Sequence, residues 1–573
     1  MKPTDQQTEF YKTLRDTDAH ILLEARAGTG KTTSCVESYN YPPPLSSAVS
    51  AGFGKPPLGG SACFCAFNKA IADELKTKVP AGLEAKTLHS ICFGILRTAF
   101  PKIPWGKRYI VNGDKTYDWL DDISPAYGYH SYRDWRGGER PIIHTLVAKM
   151  KNIGILVHNR EDLMWSTLEI DGEEYEILLH EEDGKSLLPE SLEKQLDDIC
   201  LHFNLSTKEN RLKIYAMAIH ILYVSIDLDA WQCIDFDDMI YIPYALGLDP
   251  ESQYDLLYVD EAQDLNEVQK AMAYRIGKRL VIVGDRYQSI YGFRGADCNA
   301  IPNMEKDLSQ TVRGLVTLPL TKSFRCPQKG IELANFIVPD IQAADWAEEG
   351  DVWLTDSESA HDEMKEGDMV LCRTNAPLIL ECYSLWAEGR KAFIQGRQFG
   401  EQLINLIKKL QKGGATEIHL LENSLNEYYQ AEMDRLLSRN GSGTQQQLLE
   451  DKVACIRTMI ERVDTVEDLI KLINNLFPTE KGQGAPDPLK AIRLSSIHRA
   501  KGLEADRVFL LCPEQIPHSM AGLDWELKQE ANLAYVAITR FKEQFFFVGS
   551  VPSYFAGEDI IRPWTKQQEV ELV

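Results

Sequence analysis

ARAGTGKT, residues 25–32, follows the apolar run Ile21 to Glu24 and leads into Lys31 to Tyr39, which reads as a helix start. A strand, a glycine-rich turn and a helix in that order predict an α/β sheet with a phosphate-wrapping loop at a strand end. Gly28 and Gly30 let the backbone turn its N–H groups toward phosphate oxygens, and the helix N-terminus adds its positive dipole end. Ala27, Thr29 and Thr33 complete the expected cradle. Lys31 is placed to reach the β- and γ-phosphates, and the Thr32 hydroxyl to ligand Mg²⁺. Ala25 stands where the strict form of such a loop has Gly.

A second stretch sharpens this reading. YDLLYV (254–259) is a buried-strand pattern that runs into DEAQD (260–264). Ligands of open α/β sheets collect at the carboxyl ends of strands. Asp260 is therefore expected to hold Mg²⁺ through water, and Glu261 to accept a proton from an attacking water. VIVGDRYQSIYGFRGA (281–296) adds another buried strand, then Gln288 where an amide can sense a γ-phosphate. Tyr291, Phe293 and Arg294 come next, and aromatic rings beside such a sensor suit base stacking.

With these segments in place, the chain resembles superfamily 1 helicases of the UvrD/Rep type. Asp5-Gln6-Gln7 is similar to the adenine-reading glutamine motif, with Gln7 preferred to Gln6. AFNKAIADEL (66–75) and TLHS (87–90) resemble two DNA-contacting motifs of the first motor domain. LTKSFR (320–325) ends in Arg325, which the resemblance makes an arginine reaching the γ-phosphate from the second motor domain, and DMVLCRTN (368–375) resembles a strand of that domain. SSIHRAKGLEADRVFLL (495–511) supplies a DNA-contacting His498 and a ribose-contacting Glu504, and ANLAYVAITR (531–540) a second arginine finger, Arg540. QSIYGFRGA separates this type from branches whose sensor loop reads GDxxQLPP.

Arg325 and Arg540 are far from Lys31 in sequence. They reach one phosphate only if two sheets face each other across a cleft. Arginine suits that task because its planar fork pairs with phosphate oxygens and keeps its charge. A cleft that closes on ATP and opens after hydrolysis is a motor if both halves hold the same strand. The candidate grips are Phe67, Asn68, Lys69, His89, Tyr291, Phe293 and Arg294 on the first half and His498 on the second.

The 573 residues exceed one domain. The net charge of −23 argues against broad nucleic-acid binding. A motor needs only a locally basic groove, so weak and salt-dependent DNA affinity is expected. Twelve cysteines without a C-x-x-C pair predict no zinc, iron–sulfur or disulfide framework, and a reducing cytoplasm or nucleus fits. Cys63 and Cys65 should share one face of a strand. The polar start MKPTDQQTEF is no signal peptide, and no apolar run approaches membrane-spanning length.

The expected fold class is α/β, with two RecA-like parallel-sheet motor domains, each interrupted by a mainly helical insertion. The first motor domain is read as 1–95 and 235–312, its insertion as 96–234, the second as 313–400 and 490–573, and its short insertion as 401–489. The acidic stretch 168–184 is read as a solvated hairpin and 41–60 as an exposed loop. The short second insertion resembles compact F-box-type and phage members. No F-box-like leader and no room for a nuclease domain beyond Ser550 are expected. The implied activity is ATP-dependent, 3′-to-5′ translocation on single-stranded DNA with separation of tailed duplexes, by a monomer using ATP and Mg²⁺, in replication, recombination or repair. A DNA-stimulated ATPase switch and a remodeller of recombinase filaments are the alternatives. Protein partners are not readable.

Overall fold

The computed structural model describes residues 2–40, 61–66, 69–80, 82–106, 110–131, 134–135, 139–157, 160–170, 172–183, 185–202, 205, 207, 210–230, 232–290, 299–412, 417–438, 443–478, 486–555 and 560–564. The 41–60 loop lies outside them.

Two wholly parallel sheets organise the chain. The first has six strands in the order Leu315–Leu320, His20–Ala25, Leu280–Gly284, Leu256–Val259, Ala62–Ala66, Leu83–Thr87. The second has seven, in the order Ala392–Ile394, Ile492–Ser496, Met369–Cys372, Ala505–Leu511, Phe541–Val548, Asp351–Thr355, Arg562–Pro563. The inner strands Leu280–Gly284, Leu256–Val259, Ala62–Ala66 and Met369–Cys372 are wholly buried, because both faces of the sheets are covered there. Along Ala62–Ala66, Cys63 and Cys65 enter one core while Ala62, Phe64 and Ala66 enter the opposite one. No helix among the described residues is long and apolar enough to cross a membrane.

The expected boundary at residue 312 is corrected. Leu315–Leu320 pairs with His20–Ala25, so the chain leaves the first sheet at Leu320. Pro319 disguises this strand in sequence, but the strand is at the sheet edge, where a missing N–H is tolerated.

Between the strands of the first sheet, helices Lys115–Ile123, Glu139–Ile153, Glu190–His202 and Arg211–Ser225 build a separate core. The hairpin expected over 168–184 is instead Trp165–Ile170 paired antiparallel with Glu173–Leu178, and Glu181–Glu182 pairs separately with Lys185–Ser186. Glu169, Glu173 and Glu174 are exposed, but Ile177 and Leu178 are buried in the insertion. The insertion is tied to the returning chain by a buried ionic knot. Asp238 Oδ2 lies 2.7 Å from Lys115 Nζ, and Lys151 Nζ lies 2.8 Å from Asp238 Oδ1 and 2.6 Å from Asp235 Oδ2.

Among the described residues the second insertion has the helices Arg397–Lys412, Ile418–Ser438, Gly443–Ile460 and Val466–Leu476. It shares one apolar core with the second sheet: Leu403, Leu425, Met459 and Leu469 pack in the same cluster as Val370, Ile394 and Phe509. Asp451 also accepts from the Asn375 N–H at 2.7 Å and the Asn375 side-chain amide at 2.6 Å. A shared core and a buried clamp make this insertion continuous with the sheet that carries it.

Asp238→Ala leaves Lys115 wholly and Lys151 partly uncompensated in the interior. We expect a loss of about 3–5 kcal/mol, read as a lower urea midpoint for the insertion. An unchanged midpoint would show that the knot is not what anchors it.

Candidate active site

The strand His20–Ala25, between the edge strand Leu315–Leu320 and Leu280–Gly284, carries the glycine-rich loop at its carboxyl end. Gly28 and Gly30 adopt φ of +72° and +74°, which Gly reaches without strain. Gly28 has a second reason to lack a side chain. A Cβ there would stand 2.6 Å from Ser323 Oγ and 2.7 Å from Arg325 Cβ. The Phe324 N–H donates to the Gly28 carbonyl at 2.8 Å. The loop is thus covered directly by the segment that follows the first sheet.

Neighbouring strand ends supply the acids. Thr32 Oγ1 lies 3.2 Å from Asp260 Oδ2, a hydroxyl and a carboxylate at the foot of the loop. This hard-oxygen pair fits Mg²⁺, which takes few protein ligands and fills its shell with water and phosphate oxygens. Among the described residues no larger cluster of His, Cys, Asp and Glu offers a competing site. Burial and the adjacent Glu261 carboxylate push Asp260 up to about 6. Desolvation opposes ionisation of Glu261 as well, but Lys31 at 3.2 Å and Lys501 at 3.4 Å hold it well below the usual carboxylate range. Glu261 adopts φ +51°, a left-handed conformation rare for a non-glycine residue, which aims its side chain into the cleft.

One cleft of about 600 Å³ gathers Gly28, Thr29, Gly30, Lys31, Thr32 and Thr33 with Asp260, Glu261, Gln288, Arg325 and Arg540. Residues from both sheets therefore line one space. The Gln288 amide donates to Asp285 at 2.7 Å. Arg325 is held by Glu504 at 2.6 Å, and Glu504 also meets Lys542 at 2.9 Å. Arg540 is 1 % exposed. Its guanidinium donates to the Val536 and Leu503 carbonyls and to Thr539 Oγ1. Burial and the like charge of Arg325 lower it to about 10, so it stays protonated at neutral pH. Ala27 packs at the second half's core, away from that cleft's lining. Gln7 Oε1 accepts the Thr4 N–H at 2.9 Å, and its amide donates to Ser34 Oγ at 2.8 Å on the loop's helix. Gln6 instead grips Thr321 through both side-chain atoms.

Several residues in or beside this cleft escape sequence reading. Lys501 donates to Asp264 at 2.6 Å and to the Gln288 carbonyl at 2.8 Å. Tyr535 Oη accepts the Ala27 N–H at 2.9 Å, and the Asn532 amide donates to the Ser289 carbonyl at 2.8 Å. Their i, i+3 spacing on the helix Asp524–Ile538 was the available signal. Phe324 stacks on Trp346, with ring centroids 5.7 Å apart and planes 14° from parallel, and lies beside Gly30. An aromatic ring at the lip of a phosphate loop is suited to a nucleotide base.

Of the strand-contact candidates, Lys69 is exposed at the start of the helix Lys69–Lys78. His89 is half-buried in the first turn of Leu88–Ala99, and burial lowers its pKa. His498 is half-buried on the short helix Ile497–Ala500. Phe67, Asn68, Tyr291, Phe293 and Arg294 lie outside the described residues.

Gly28→Ala would force a side chain into a positive-φ position already closed by Ser323 and Arg325. We expect nucleotide affinity to fall about 10-fold or more, the scale of ~1–3 kcal/mol of backbone strain. Titration with a fluorescent nucleotide checks this, and unchanged affinity would contradict the described approach of the two halves.

Comparison with known proteins places this cleft in a family. A family model described as the UvrD/REP helicase N-terminal domain matches residues 4–309. ATP-dependent DNA helicase PcrA of Leuconostoc citreum is 26 % identical over 56 % of this chain and 59 % of its own length. F-box DNA helicase protein 1 of Schizosaccharomyces pombe is 23 % identical over 94 % of this chain and 56 % of its own length. Putative ATP-dependent DNA helicase YjcD of Bacillus subtilis is 22 % identical over 54 % of each. The chain thus spans between half and two thirds of the length of these relatives. With more than half of its residues under the family match, the chain belongs to the UvrD/REP helicase family.

Proposed function

We propose that the chain is an ATP-driven translocase on single-stranded DNA that separates tailed duplexes. The observation that carries this reading is the single cleft lined by a phosphate loop and acids from one sheet and by two arginines from the other half. A site split in this way couples hydrolysis to relative movement of the halves, because closure assembles it and product release undoes it. The choice of DNA rests on the family and on its relatives, which are named DNA helicases. The 3′-to-5′ direction, the monomeric state and a role in replication, recombination or repair rest on the UvrD/Rep resemblance.

In this reading ATP lies along the loop with its base on Phe324 and near Gln7. Backbone N–H groups of Gly28, Thr29 and Gly30 receive the phosphates, with Thr33 beside them. Lys31 exchanges its Glu261 partner for the β- and γ-phosphates. Thr32 and Asp260 would hold Mg²⁺, which neutralises phosphate charge when bound. Glu261, freed from Lys31, orients the attacking water and takes its proton. Gln288 senses the γ-phosphate, and Arg325 and Arg540 stabilise charge developing on it. Glu504 is proposed to hold the ribose, and it exchanges its grip on Arg325 to do so. Phe67, Asn68, Lys69, His89, Tyr291, Phe293, Arg294 and His498 are proposed to hold the strand.

The test is ATP turnover with and without single-stranded oligothymidine. We expect strong stimulation by the oligonucleotide, and a loss of about 100-fold or more in Lys31→Ala at unchanged fold. Near-normal turnover in that variant would refute the assignment of the phosphate site. Turnover indifferent to the oligonucleotide would refute the nucleic-acid motor.

A further inference from the structure

Arg26 is the second residue of the phosphate loop, yet its side chain does not line the cleft. It is 5 % exposed and faces three carboxylates from three segments. Glu24 Oε1 lies at 3.0 Å and Asp285 Oδ1 at 3.5 Å, both at strand ends of the first sheet. Asp340 lies across the boundary between the halves and makes two parallel bonds of 2.7 Å with the Arg26 Nε and Nη2. The guanidinium also lies 4.9 Å from the centre of the Tyr287 ring.

Asp340 belongs to the second half. Its neighbours Val338 and Ile341 are buried in the core formed with Val352, Leu510 and Phe545. The pair sits beside the crossover between the sheets. The Arg26 N–H donates to the carbonyl of Leu320, the last residue of the first sheet, at 2.9 Å. Thr321, the next residue, is gripped by Gln6. Ala27 in turn donates to Tyr535 of the second half. Two consecutive loop residues are thereby fastened to two separate elements of the opposite half.

We propose that Arg26 is a positioning residue. Its forked pair with Asp340 fixes the hinge between the halves at the base of the phosphate loop, and so fixes where Arg325 and Arg540 stand over the loop. This rests on the reading of the cleft as an ATPase site. The planar fork matters because two parallel bonds resist rotation as well as separation. A pair remote from the phosphates has leverage on them, since a displacement of about 1 Å at a reacting centre can cost on the order of 100-fold in rate. A purely local role for Arg26 would need only Glu24 and Asp285, which come from its own sheet.

Asp340 separates the two roles, because its side chain is 44 % exposed and its removal leaves Glu24 and Asp285 in place. The experiment compares wild type, Asp340→Ala and Asp340→Glu in ATP turnover with saturating oligothymidine, together with thermal midpoints. We expect kcat to fall about 10-fold in Asp340→Ala with KM for ATP within about twofold, as geometric misplacement of catalytic groups predicts. The thermal midpoint should stay near wild type, and Asp340→Glu should recover most of kcat. An unchanged kcat, a change confined to KM, or a loss that follows the thermal midpoint without recovery in Asp340→Glu would overturn the proposal. Wild-type chain without DNA-stimulated turnover would instead overturn the ATPase reading, before any variant is compared.

Discussion

The Gly28 carbonyl accepts the Phe324 N–H at 2.8 Å, and the rest of the cleft depends on that contact. It brings the segment after the first sheet down onto the phosphate loop with no side chain in between. Arg325 follows one residue later and enters the cleft. The helix Asp524–Ile538 arrives from the other side through Tyr535 and Asn532, and Arg540 lies just beyond its end. Neither sheet alone holds both the phosphate cradle and the arginines. On the proposed reading, chemistry therefore requires the halves to be in register, and whatever moves them is felt at the γ-phosphate.

Electrostatics reinforces this division. The chain carries a net charge of −23, yet Lys31, Arg325, Lys501 and Arg540 converge on one cleft. Arg540 spends its N–H groups on carbonyls and a hydroxyl, and among the described residues it has no carboxylate within ion-pair distance. A buried cation without a counter-charge is costly. A polyphosphate supplies that charge, so the cleft is built to gain more from an anionic ligand than a surface lysine cluster would. Glu261 pairs with two of the lysines, and on the proposed reading it releases Lys31 to the phosphates. The acids and bases are matched to each other first and to a ligand second.

How much of this was legible in the sequence depended on separation along the chain. The phosphate loop and DEAQD could be read because each is a strand end followed by a turn, and strand, turn and residue chemistry are local. Arg325 and Arg540 could be assigned only through resemblance, and the structure brings both to Lys31's cleft. The pairs Ala27–Tyr535 and Arg26–Asp340 were illegible, since nothing local marks a tyrosine or an aspartate as the partner of a residue hundreds of positions away. Phe324 carries no local mark of its role, because its neighbours Trp346 and Gly30 come together only in the fold. The boundary at 312 left Leu315–Leu320 with the second motor domain, because a short edge strand carrying Pro319 has no local mark of the sheet it joins.

The central claim is that closing this cleft on ATP moves the chain along one strand of DNA. Strand release from duplexes carrying either a 3′ or a 5′ single-stranded tail tests it most directly, with ATP present and Lys31→Ala as the control. The account predicts ATP-dependent release from the 3′-tailed duplex alone and none with Lys31→Ala. DNA-stimulated hydrolysis without release from either duplex would contradict it, and would leave a nucleic-acid-responsive ATPase in place of a motor.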